Sequence, residues 1–65
     1  KKADVANGAS ITATKEGTNC YIIFGQDCTV DSAAVDKNSV KKLTSDSVSI
    51  ENNSGKLCRL VKIYK

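Results

Sequence analysis

The stretch "NCYIIFGQDC", Asn19 to Cys28, decides how the chain is read. It holds four large apolar residues in a row, Tyr21, Ile22, Ile23 and Phe24, of the β-branched and aromatic types that favour strands. An apolar run without alternation marks a strand covered on both faces, so 20–24 is expected at the centre of a sheet. Gly25-Gln26-Asp27 then supplies a short turn, and "CTVD" (28–31) a brief returning strand. In that hairpin, centred on Gln26, Phe24 faces Cys28 and Cys20 lies opposite Ser32. The two cysteines are then too far apart along the ladder for a disulfide, whose Cα atoms must lie within ~7 Å. A pairing of Cys20 or Cys28 with Cys58 stays open.

Upstream, "ASITAT" (9–14) alternates Ile11 and Ala13 with Ser10, Thr12 and Thr14, the period of a strand with one wet face, and "KEGT" turns the chain. Residues 1–8 are polar and end in Asn7-Gly8; a hairpin there would mix faces, so they are expected to form a flexible arm leading into a single β domain at 9–65. Downstream, "SAAVDKNSVKKL" (32–43) has some helical spacing. Its valines and the central Asn38-Ser39 nevertheless favour a loop or an edge strand. "DSVSIE" (46–51) turns Val48 and Ile50 inward, "NNSGK" turns the chain, and "LCRLVKIY" (57–64) forms the closing strand. Pairing Ile50 with Cys58 and Val48 with Leu60 matches apolar with apolar and leaves Arg59, Val61 and Ile63 on the opposite face. The expected fold is all-β: a small sandwich or barrel of five or six short antiparallel strands. Its core is expected to hold Ile11, Tyr21, Ile22, Ile23, Phe24, Val48, Ile50, Cys58 and Leu60.

A chain of 65 residues buries only about 60% of the surface its unfolded form exposes, and with three aromatic residues and no Trp, Met or Pro its core is expected to be thin. The formal charge of +3 is concentrated in residues 34–65, which carry seven Lys/Arg against three acids. Against so small an excess and so few aromatics for stacking, a nucleic-acid partner is not expected. No apolar run approaches the ~20 residues that span a bilayer, and Lys1-Lys2 does not open a secretion signal. Three cysteines, an odd number, favour free thiols in a reducing compartment, used as small apolar side chains. With no histidine and no CxxC, neither a zinc site nor an activated nucleophile is expected. The carboxylates sit mostly beside turns (Asp27, Asp31, Asp36, Asp46), where they serve the backbone, so an enzyme, a cofactor or a small-molecule substrate is not expected. Asn52-Asn53-Ser54 matches the glycosylation acceptor pattern, which has meaning only in a secreted chain.

The runs "ITAT", "GTNCYIIFG" and "TVDSA", with "LVKIYK" at the end, resemble small virion-associated β proteins encoded beside the capsid genes of tailed phages. Cys20, Phe24 and Gly25 sit where that pattern places its "FG" strand, over about half the chain. The resemblance implies a decoration or head-accessory protein of the virion that oligomerises and docks on coat protein. The contacts expected are the arm Lys1 to Gly8, with Lys1, Lys2, Asp4 and Val5, and the second face of the last strand, Arg59, Val61 and Ile63. The alternative is a secreted β-sandwich effector or inhibitor that binds a host protein through its basic edge.

Overall fold

Alternation along the chain makes strands, and here it makes eight. The computed structural model describes residues 1–65: β1 (Lys2–Val5), β2 (Ser10–Thr14), β3 (Cys20–Phe24), β4 (Cys28–Val30), β5 (Ala33–Val35), β6 (Val40–Lys42), β7 (Ser47–Glu51) and β8 (Cys58–Tyr64). The all-β expectation holds, with more strands than the five or six expected. Two four-stranded antiparallel sheets have the orders β1-β8-β3-β6 and β2-β7-β4-β5. Three pairs, 3 with 6, 2 with 7 and 1 with 8, therefore nest around the single hairpin of 4 with 5, which is the winding of a jelly roll.

That winding overturns both expected hairpins. β3 and β4 belong to different sheets, as do β7 and β8. β3 is indeed central in its sheet, but between β8 and β6, with Phe24 opposite Leu60. Gly25 sends the chain across: its N–H donates to the Arg59 carbonyl at 2.9 Å, and a Cβ there would stand 2.7 Å from that oxygen. Close backbone contact, rather than a tight turn, explains glycine at this point. The one true hairpin is β4–β5, where Val30 faces Ala33 across the two-residue turn Asp31-Ser32. Both turn residues have positive φ, 48° and 71°, the geometry of a type I′ turn. The ambiguous 32–43 segment is thus two edge strands, β5 and β6, as the valines favoured.

Residues 2–5, expected as a flexible arm, are instead an edge strand, in register from Lys2 opposite Val61 to Val5 opposite Cys58. Val5 is accordingly buried in the core and is not available for contact. Eleven apolar residues form that core. Val5, Cys20, Ile22, Phe24, Cys58 and Leu60 come from the first sheet, Cys28, Val30, Val48 and Ile50 from the second, and Leu43 from the connection between them. Of the expected core, Ile11 is half-buried at its margin, while Tyr21 and Ile23 point outward, Tyr21 37% exposed. Strand β3 is covered on one face only.

The single buried polar side chain, Asn52, closes one end of the roll. Its Nδ2 donates to the Val5 carbonyl at 2.8 Å and to the Lys56 carbonyl at 2.7 Å, and its Oδ1 accepts from the Ser54 N–H and hydroxyl. Every polar valence of the side chain is used, as burial requires. Asn52 is therefore a structural tie between β1 and the β7–β8 connection, and its amide nitrogen is not free to accept a glycan in the folded chain.

Candidate binding face

In a sandwich each sheet has one inner and one outer face, and residues two apart share a face. On the first sheet the outward set is Lys2 and Asp4 of β1, Arg59, Val61 and Ile63 of β8, Tyr21 and Ile23 of β3, and Val40 and Lys42 of β6. The registers arrange them in rows. Lys2, Val61, Ile23 and Val40 lie side by side across all four strands, Ile63, Tyr21 and Lys42 form the next row, and Asp4 faces Arg59 at the other end. Five apolar side chains thus form one band, with Val40 59% and Ile63 51% exposed.

A charged frame surrounds the band. Arg59 Nε stands 3.7 Å from Asp4 Oδ1, and Lys42 Nζ lies 6.0 Å from the Tyr21 ring centre. With Lys2, the frame carries three cations and one carboxylate. Both members of the Asp4–Arg59 pair are well exposed, so it contributes little to stability.

The second sheet is the natural control. Its outward residues are Ser10, Thr12 and Thr14 of β2, Ser47, Ser49 and Glu51 of β7, Thr29 of β4 and Ala34 of β5, polar throughout except for the small Ala34 opposite Thr29 at the sheet edge. One molecule therefore carries one wet outer face and one apolar outer face.

Of the residues expected to make contacts, Lys2, Asp4, Arg59, Val61 and Ile63 are brought together on the apolar face. Lys1 is not among them. Its Nζ bonds Glu16 Oε1 at 3.2 Å, and Lys62 Nζ bonds the same oxygen at 3.0 Å and the Thr14 carbonyl at 2.9 Å, so this cluster ties the two sheets together at an open end. Lys62 foremost, then Tyr64 and Lys1, hold the Glu16 carboxyl down at about 2, and Glu16 in turn raises the Tyr64 hydroxyl. Beside the cluster a cavity of about 290 Å³ opens between the β1 and β2 edges, lined by Ala3, Ile11, Ala13, Ile22 and Leu60.

Three members of the face, Tyr21, Ile23 and Val40, were missed as surface residues. The unbroken run at 21–24 reads as doubly buried, and Val40 sits in a segment whose partner strand is not legible from its own residues. Cys20, Ile22 and Phe24 alternate with Tyr21 and Ile23 only in the burial of the folded strand; the residue types, all apolar, carry no such signal. No group of three or more His, Cys, Asp or Glu stands close enough to hold a metal ion. Compared with family models, curated proteins and solved structures, the chain matches none.

Proposed function

We propose that this chain is a non-enzymatic structural module of a phage virion, which decorates the capsid by laying the apolar outer face of its first sheet on coat protein. The observation that carries the reading is the asymmetry of the two outer faces. A contiguous apolar band is the ordinary mark of a protein-binding site, whereas the other large exposed apolar side chains, Leu57 and Tyr64, stand outside it; its basic frame fits a coat surface with an acidic rim. The jelly-roll winding supports the reading at the level of architecture, since the same winding builds viral capsid and lectin domains. Architecture alone does not carry function, so the weight rests on the face. Repeated copies on a capsid would extend the contact from coat protein to neighbouring modules.

A second reading, a secreted effector or inhibitor that binds a host protein through the same face, is favoured by one observation: the Cys28 and Cys58 sulfurs lie 3.3 Å apart, an arrangement suited to a chain that folds in an oxidising compartment.

Co-sedimentation with assembled tailed-phage heads tests the first reading. The unaltered chain should pellet with the heads, and the double variant Val40→Asp/Ile63→Asp should remain in the supernatant while keeping its circular dichroism spectrum. Equal pelleting of both, or of neither, would refute docking through this face.

A further inference from the structure

We infer that Cys28 and Cys58 are a disulfide-forming pair that staples the two sheets to each other, with Cys20 left as the one free thiol. Three observations carry it. Cys28 lies on β4 of the second sheet and Cys58 on β8 of the first, and their side chains meet in the core, where Cys28 Sγ donates to Cys58 Sγ at 3.3 Å. Closing that gap to the ~2.05 Å of a disulfide needs roughly 1.2 Å of combined movement, within reach of small side-chain rotations. The two positions are 30 residues apart in sequence, so the bond would close a long loop and join elements that no backbone ladder connects. Bridges between facing sheets are a known solution in sandwich folds of the immunoglobulin type.

The chemistry is thiol–disulfide exchange with a small disulfide, RS–SR, as oxidant. The thiolate of one cysteine attacks a sulfur of RS–SR and expels RS⁻, which takes up a proton; the second thiolate then attacks the mixed disulfide and releases the other RSH. Two cysteine S–H bonds are lost, one S–S bond forms, and the oxidant leaves as two thiols.

Timing follows from burial. Cys28 is 5% and Cys58 0% exposed, and burial, with the Cys58 sulfur beside it, pushes the Cys28 thiol up to about 12. The folded Cys28 therefore offers almost no thiolate at neutral pH, and burial keeps both sulfurs from solvent. The bond should form while the chain folds and should then be sheltered from reductants by the same burial. It does not depend on what docks on the outer face, so the test uses the chain alone.

The full chain is refolded in a reduced and oxidised glutathione buffer, quenched with acid, alkylated in denaturant and mapped by peptide mass. The expected product is a monomer about 2 Da lighter than the reduced chain before alkylation, then alkylated at Cys20 only, with a cross-linked peptide that contains positions 28 and 58. Its melting temperature should fall by roughly 10 °C or more on reduction. Three alkylated cysteines, a bridge to Cys20, or glutathione retained on either sulfur would overturn the assignment. An unchanged melting temperature after reduction would overturn the staple. Cys20→Ala, which keeps only the proposed pair, should still give a bridged monomer; a covalent dimer would contradict the pairing.

Discussion

Asn52 shows how much one side chain carries in a chain of this size. Its four hydrogen bonds join β1, the β7–β8 connection and the turn at Ser54, the one to Val5 buried and the other three partly buried. Replacing it with alanine should destabilise the fold by about 1–3 kcal/mol, because the buried Val5 carbonyl loses the side-chain donor and the Lys56 carbonyl keeps only the Ser54 hydroxyl. Asn52→Asp keeps the shape but points an acceptor at two carbonyls, and should cost at least as much; urea unfolding of both variants checks this. Ser32 offers the opposite case. It holds φ 71° without being glycine, a conformation that costs an L side chain about 1–2 kcal/mol. Ser32→Gly should therefore stabilise by about 0.5–1 kcal/mol after glycine's added flexibility in the unfolded chain is subtracted, read from the same urea midpoint. Neither residue stands out in the sequence: "NNSG" reads as a turn, and the hairpin turn lacks the usual Asn-Gly.

At the scale of elements, which side chains turn inward was legible and which strands pair was not. Val48, Ile50, Cys58 and Leu60 are all buried, as their alternation implied. They nonetheless meet across the sandwich rather than along one ladder, because alternation sets the side a residue faces and says nothing of the sheet it belongs to. β1 was missed for a related reason: "KADV" turns only the small Ala3 and Val5 inward, and only the long β8 beside it makes it a strand. The outer face was half legible, since Arg59, Val61 and Ile63 follow from the period of β8, while Tyr21, Ile23 and Val40 depend on the pairing of three strands.

The Glu16 cluster belongs to the same scale, because it joins the end of β8 to the end of β2. Its carboxyl is held at about 2 against an ordinary 4.5, so its contribution is fully present above pH 4.5 and is lost as pH falls through about 2. Melting temperature should drop over that window, and Glu16→Gln should flatten the Glu16 part of the drop. The exposure of the cluster keeps the effect modest and sensitive to salt.

For the whole molecule, the winding places the first and last strands side by side, so the fold closes only when residues from both ends of the chain meet. Such long-range pairing makes a slow-folding topology, and a bond between positions 28 and 58 would shorten the search. Closing that loop should add about 3–4 kcal/mol, checked by the urea midpoint of the chain with and without reductant. The radius of gyration, 10.6 Å, matches the ~10.7 Å of a folded chain of this length. The chain is thus compact around its eleven-residue core, and the apolar band lies outside that core. Docking through that band is the central claim, and site-specific photocrosslinking tests it most directly. A photoreactive residue at position 40, on the apolar face, should link to coat protein in assembled heads, while the same group at position 12, on the polar face, should not. Links from position 12 alone, or from neither position, would contradict the account.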